Sequence, residues 1–350
     1  MKVIITGNMG YVGPVLVRYL RERYPAAELV GIDTAWFAHC LTTPDAMPER
    51  LLDRQIFADV RDLDASVFTS ADAVVHLAAV SNDPMGNRFE APTIAINFDG
   101  TVRVAELARA AGVPHFVFAS SCSVYGSAEG GPRKEADELN PLTAYARSKI
   151  SSEKRLAEVC GNSMVTTCLR FATACGMSDR LRLDLVLNDF VASALSTGGI
   201  TVLSDGTPWR PLIDVQDMAR AIDWAIGRGA QSGGQFLAVN TGSDTWNYQV
   251  RDLAEAVVRE LGGVDLSINA NAPPDKRSYR VDFSLFRGLA PQHQPQVSLS
   301  QSIGRLVGGL KAIAFNDPDF RNSTLVRLRV LDRHLTAQRL DADLRWTDGA

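Results

Sequence analysis

Tyr145 and Lys149 stand four residues apart in Tyr145-Ala146-Arg147-Ser148-Lys149. A helix over this segment puts both side chains on one face. The pair suits acid–base chemistry on a hydroxyl group. A free tyrosine has a pKa of about 10 and is a poor base at neutral pH. A cation within reach lowers it by about 1–3 units, and Lys149 acts in that direction. The tyrosinate then takes a proton from a hydroxyl while hydride leaves the same carbon. Upstream, Ser120-Ser121-Cys122-Ser123-Val124-Tyr125-Gly126 follows an apolar run, which places Ser121 to hydrogen-bond the reacting oxygen. Taken singly, a serine at a strand end and a Tyr and Lys on a helix face are ordinary.

What lifts them is the N-terminus. Thr6-Gly7-Asn8-Met9-Gly10-Tyr11-Val12-Gly13 joins a strand-like run to a helical pattern. Of its three glycines, one makes the turn, one lets the backbone approach a pyrophosphate and one lets helix pack on strand. The helix start then offers free N–H groups to phosphate. Asp33 closes the second apolar run twenty residues after Gly13. A carboxylate there accepts hydrogen bonds from ribose hydroxyls and repels a 2′-phosphate. The next residues, Thr34, Ala35 and Trp36, bring no cation, so NAD is favoured over NADP. Asp59, followed by Val60, is placed to hold the adenine amino group.

The elements that position these residues alternate. Apolar runs at Val3–Thr6, Leu29–Ile32, Gln55–Ala58, Ala73–Leu77, His115–Ala119 and Val165–Leu169 read as strands. Helical patterns lie between most of them. Runs apolar on both faces point to a parallel sheet, and the alternation to an α/β, Rossmann-type doubly wound fold. After about Arg170 the pattern loosens, and Phe236–Val239 reads as one more strand of the first sheet. The expected division is a dinucleotide-binding domain over 1–172 with 210–245 returning to it. A smaller α/β substrate lobe covers 173–209 and 246–315, and a helical extension covers 316–350. Leu325, Leu328, Leu331 and Leu335 form an amphipathic stripe there, suited to packing on the body or on another subunit.

Of the 350 residues, 46% are hydrophobic and 22% charged, and the net charge is −4. The composition is that of a globular protein and gives no footprint for nucleic acid or an anionic membrane. The five cysteines are odd in number and lack C-x-x-C spacing, so reduced thiols and no metal site are expected. No signal-peptide pattern precedes the first strand, and no apolar stretch is long enough to cross a bilayer. A cytoplasmic address is expected.

The set of motifs resembles the extended short-chain dehydrogenase/reductase family, the nucleotide-sugar epimerases and dehydratases of the UDP-galactose 4-epimerase type. It runs from Met1 to about Leu310. It takes in Thr6–Gly13, Asp59-Val60, His76-Leu77-Ala78-Ala79, Asn97–Thr101, Ser120–Gly126, Tyr145–Lys149, Leu169–Gly176 and Arg210–Asp217. The resemblance implies tight NAD binding, with Leu77, Ala78, Ala79, Asn97, Ala119 and Phe171 joining Gly7, Gly10, Tyr11, Val12 and Gly13 around it. It also implies a Ser121-Tyr145-Lys149 triad, a sugar-nucleotide lobe and a homodimer.

Dehydratases of this family carry acidic residues after the catalytic serine or threonine, where this chain has Cys122 and Ser123. Related decarboxylases carry a Glu in the place of Ser123. Neither residue here can act as a carboxyl acid, so dehydration and decarboxylation are disfavoured. Epimerisation, expected at C4 through a transient keto sugar, and net reduction of a keto sugar both stay open. A non-catalytic dinucleotide-binding module on the same fold has no need of Tyr145 and Lys149. For a nucleotide-diphosphate sugar, the resemblance places Asn188, Arg210 and Arg277 at the diphosphate. Ser81, Ser121, Cys122 and Thr173 fall near the sugar. Thr173 and Cys175 depart from the family's usual Asn and aromatic.

Overall fold

The computed structural model describes residues 1–42, 47–127, 130–272 and 278–347. Its strands are β1 (Lys2–Thr6), β2 (Glu28–Asp33), β3 (Arg54–Phe57), β4 (Ala73–His76), β5 (His115–Ser121), β6 (Val165–Phe171), β7 (Thr173–Cys175), β8 (Gly199–Val202), β9 (Trp209–Asp214), β10 (Phe236–Thr241), β11 (Asn247–Gln249) and β12 (Asp265–Ile268). Seven of them form one parallel sheet in the order β10-β6-β5-β4-β1-β2-β3. The apolar runs fall on these strands, most of them lengthened by a residue or two, while Ala58 and Leu77 lie just past the ends of β3 and β4.

Both faces of the sheet are covered, which is why its strands alternate less than those of a half-exposed sheet. Val3 and Ile5 face the side packed by α1 (Gly13–Arg23) and by a later helix, Val215–Gly227. Ile4 faces the side packed by Thr101–Ala110 and Ala144–Cys160. Two short helices, α2 (Asp83–Arg88) and α3 (Glu90–Ile94), precede Thr101–Ala110, which is α4, and Ala144–Cys160, which is α5. The strand order reverses between β1 and β4. In a doubly wound sheet the ligand crevice opens at this point, beyond the carboxyl ends of the strands.

The smaller lobe contains a three-stranded sheet, β11-β9-β7, and a parallel pair, β12-β8. Packed there are α6 (Val186–Thr197), α8 (Val250–Leu261) and α10 (Leu299–Ala312). The return to the main sheet begins later than position 210. Strand β9 pairs with β7 and β11, so the chain comes back only with α7 (Val215–Gly227) and β10. A short α9 (Ser284–Leu289) then packs on β10.

The C-terminal extension docks on the dinucleotide-binding side. Its helix α11 (Arg327–Thr336) buries Leu331 completely, and Leu340 and Leu344 follow it into the same core as Ile4 and Val30. Leu328 and Leu335 pack at the rim of that core, whereas Leu325 lies ahead of the helix. Beyond α11, Trp346 donates its indole N–H to the Thr34 carbonyl at 2.6 Å, and Arg61 donates to the Asp343 carbonyl at 2.9 Å. Leu331→Ala should cost about 2–5 kcal/mol of unfolding free energy, read by urea denaturation against Leu328→Ala as a partly exposed control. A loss no larger than the control's would mean that α11 is not part of the core.

Candidate active site

At the carboxyl ends of the main strands lies a cavity of about 850 Å³, within the size range of ligand and cofactor sites. Its floor is the glycine loop. Gly7 has φ of +75°, and a Cβ there would lie 2.5 Å from the Ala78 nitrogen, so only glycine lets this loop close on the end of β4. A Cβ on Gly13 would fall 2.0 Å from the Asn8 carbonyl oxygen. The first turn of α1 has no side-chain cap and no acidic residue. Its N–H groups and the positive end of its dipole stay available to an anion. These are the features a dinucleotide pyrophosphate needs.

Asp33 lines the cavity at the end of β2 and accepts N–H groups from Met9 (3.0 Å) and Ala35 (2.7 Å). Burial pushes its carboxyl up, and those two hydrogen bonds oppose the shift. Asp59 also lines the cavity, in a bidentate pair with Arg61. Val60, Leu77, Ala78, Ala79, Ala119 and Phe171 complete this wall.

The three residues expected to do chemistry come together. Ser121 ends β5 and accepts the Ser123 N–H at 3.1 Å. Thr143 caps α5, accepting the Ala146 N–H at 3.2 Å and donating its hydroxyl to Asp83 at 2.7 Å. Tyr145 sits in that first turn and hydrogen-bonds Ser121. One turn later Lys149 donates to the Ala119 carbonyl at 2.7 Å, with its ammonium over the Phe118 ring. All three side chains line the cavity.

The expected push on Tyr145 differs in its source. Burial dominates and holds the phenol up at about 12, while Ser121 and Arg182 act to lower it and Asp83 to raise it. Lys149 is itself pushed down to about 7 by burial. Its ammonium faces the Ala119 carbonyl rather than the phenol oxygen, which explains the change.

Ser81, Thr173 and Arg210 line the cavity, as do Gly10, Tyr11 and Val12. Four expected residues do not. Gly13 serves the packing of α1 on the loop. Asn97 is fully buried behind the wall, bonded to both backbone groups of Val80 and to Ser148. Cys122 is fully buried, and its thiol donates to the Arg170 carbonyl at 3.0 Å. Asn188 faces inward from α6, where it accepts the Gly176 N–H and donates to the Arg182 carbonyl and the Tyr11 hydroxyl. It shapes the turn after β7 instead of reaching a diphosphate. Arg277 lies outside the described residues.

The cavity also contains residues that motif spacing does not single out. Arg182 forms a bidentate pair with Asp184 (both 3.0 Å) and donates to the Ser81 hydroxyl at 3.1 Å. Asp184 in turn accepts from Asn82 at 2.7 Å. Tyr279 enters from the loop before α9, and Arg327 from α11. The alternating Arg180-x-Arg182-x-Asp184 in an otherwise apolar stretch was the available signal for the first group. Arg327 gave none, since it shares the buried face of its helix with Leu331.

Comparison with known proteins gives a family. The model of the NAD dependent epimerase/dehydratase family matches residues 3–242. A UDP-glucose 4-epimerase from Mycolicibacterium smegmatis is 30% identical over 321 residues, covering 88% of this chain and 97% of that protein. Among solved structures, the UDP-glucuronic acid 4-epimerase from Bacillus cereus superposes with a TM-score of 0.75 at 23% identity, covering 89% of this chain and 100% of that one. The NAD-dependent NDP-hexosamine 5,6-dehydratase TunA superposes at 0.74 and 22% identity, covering 91% and 99%. The two structures share the fold, and the family match runs over more than half the chain. The protein belongs to the NAD-dependent epimerase/dehydratase family, and it is an enzyme whose cofactor is NAD.

Proposed function

We propose that the protein is a nucleotide-sugar 4-epimerase working through a transient keto sugar. One observation carries this reading. Ser121, Tyr145 and Lys149 meet in the cavity, and the positions after Ser121 bring no carboxyl group to it. Cys122 is turned into the protein with its thiol pushed up by burial, and Ser123 offers only a hydroxyl. The carboxylates that do reach the cavity nearby, Asp83 and Asp184, are engaged by Thr143 and Arg182. Elimination of water asks for a carboxyl acid beside the reacting carbon. Epimerisation asks only for oxidation, rotation of the keto sugar and return of the hydride.

When bound, NAD would supply a reversible acceptor for hydride from the carbinol carbon. The chain's own task is the proton. With burial holding Tyr145 up at about 12, the phenol is neutral at rest. A positive charge brought into the same enclosed space favours the tyrosinate. Proton removal is thereby tied to the oxidised cofactor. Ser121, bonded to Tyr145, holds the reacting oxygen on the same line. Arg210 on β9 is the candidate for the substrate diphosphate, since a guanidinium fork matches phosphate oxygens. Ser81 and Thr173 are candidates for the sugar. The mycobacterial relative makes UDP-hexoses the first substrates to test.

A homodimer in the cytoplasm completes the proposal. All five cysteines are unpaired, which supports a reducing compartment. Among the described residues no helix is long and apolar enough to cross a membrane.

Incubation with a panel of UDP-hexoses, followed by NMR, should give the C4 epimer with no net change in NADH absorbance. Stoichiometric consumption of NADH would replace the epimerase reading with a reductase. Tyr145→Phe should lower kcat about 10²–10⁴-fold while the protein still retains NAD; turnover at the wild-type rate would rule the mechanism out. A further expectation concerns stability. The pKa of Lys149 is about 7 in the folded protein, against about 10.4 in an unfolded chain. Between those values the unfolded state holds the extra proton, so wild-type stability rises with pH. Lys149→Met should therefore raise Tm most at pH about 6.5, with the gain fading by pH about 10. An equal change at both values would show that Lys149 is not desolvated.

A further inference from the structure

Three arginines are buried side by side where the segment after β7 passes over the glycine loop. Arg180 pairs with Glu49 at 2.6 Å, and Arg182 pairs with Asp184. Arg327, 1% exposed, has no carboxylate within ion-pair distance among the described residues. Among the described residues its guanidinium donates to two backbone carbonyls, Arg180 at 2.7 Å and Thr324 at 3.3 Å. One face lies over the Phe37 ring, 4.9 Å from the centroid, and the residue lines the cavity. A buried charge without an ionic partner is costly to keep, and an anion beside it would offset that cost. Burial pushes the guanidinium down to about 10, and Asp184, beyond ion-pair distance, opposes the shift without cancelling it.

The surroundings say which anion fits. Phe37 belongs to the loop that follows Asp33 at the ribose end of the cavity. Arg180, whose carbonyl holds Arg327, belongs to a segment bonded to the glycine loop. There the Ser178 hydroxyl donates to the Tyr11 carbonyl at 2.6 Å, and the Tyr11 hydroxyl donates to the Gly176 carbonyl at 2.5 Å. Arg327 thus lines the same cavity as the glycine loop, held by a segment that is itself bonded to that loop.

We propose that the C-terminal extension contributes Arg327 to the cofactor site, as the cationic partner of the NAD pyrophosphate. The glycine loop supplies N–H groups to one side of the diphosphate, and Arg327 supplies the charge opposite. The Phe37 ring fixes the plane of the guanidinium, and a planar fork is matched to phosphate oxygens. The assignment depends on NAD as cofactor and not on which sugar reaction is catalysed. A diphosphate could also come from the nucleotide sugar, and the experiment separates the two sources.

The full-length protein with Arg327→Met, and with Arg327→Lys as a charge-keeping variant, would be compared with wild type. The readouts are NAD bound per subunit after dialysis and the rise in Tm caused by NAD, ADP-ribose, adenosine or UDP. The expected result for Arg327→Met is a Kd for NAD and for ADP-ribose raised about 10–100-fold, in line with loss of a charged hydrogen-bonding partner. Adenosine, which lacks phosphate, and UDP should stabilise as they do in wild type, and Arg327→Lys should fall between. Without ligand, the Tm of Arg327→Met should be no lower than wild type, because an unpaired charge has been removed. Unchanged NAD and ADP-ribose affinity would overturn the proposal. So would a loss confined to UDP, which would move the anion to the substrate. An equal loss for adenosine with a lowered ligand-free Tm would also overturn it, leaving Arg327 as a peg for the extension.

Discussion

The buried ion pair between Arg170 on β6 and Glu153 on α5 is the contact on which the catalytic geometry depends. The guanidinium meets the carboxylate through Nε and Nη2, at 3.0 and 2.7 Å, with both side chains less than a tenth exposed. The same carboxylate accepts the Ser120 hydroxyl of β5 at 2.5 Å. One carboxylate thus ties together the strand that ends in Ser121, the helix that carries Tyr145 and Lys149, and the strand beside them. Arg170 reaches further, to the Tyr125 hydroxyl, which in turn donates to Asn240 on β10. A buried pair of this kind adds little net stability. Removing either member, however, leaves an uncompensated charge that costs about 3–5 kcal/mol. Its effect is geometric: it fixes how β5 and α5 sit relative to each other.

Around that fixed unit, the large movable terms are electrostatic. Tyr145 and Lys149 are both driven toward their neutral forms by the same loss of water. At rest the lysine is turned to the Ala119 carbonyl, and it meets the tyrosine through the ring face, 5.6 Å from the centroid. Arg182 is the cation that acts on the phenol, and its own charge is balanced by Asp184. Substitutions in the 182–184 segment would therefore alter the catalytic tyrosine through space, without touching the triad.

Much of this was legible in the sequence, for physical reasons that differ by element. The strands of the main sheet are buried on both faces, so short continuous apolar runs sufficed to find them. The glycine loop and the Tyr145–Lys149 spacing are local geometry, which a sequence states directly. Asn188 and Cys122 were misplaced because sequence position does not say which face of a helix or turn meets the cavity. Both proved fully buried. Arg182, Tyr279 and Arg327 were missed because they come from irregular segments or from a remote helix, where only tertiary packing brings them in. The start of the return to the main sheet was placed too early because β9 pairs with β7 and β11, which only tertiary packing reveals.

The docking of the extension also sets an order of assembly. The glycine loop lies within the first thirteen residues, while the wall facing the loop after Asp33 is built from residues 327–346. During synthesis the first parts of the site emerge long before the last. Domains generally fold from the N-terminus as they appear, but here the nucleotide pocket stays open on one side until residues 327–346 have been made. Cofactor loading is then a late event in the life of the chain. A ribosome that stops before residue 327 releases a protein with an intact triad and an unfinished place to hold the molecule it works with.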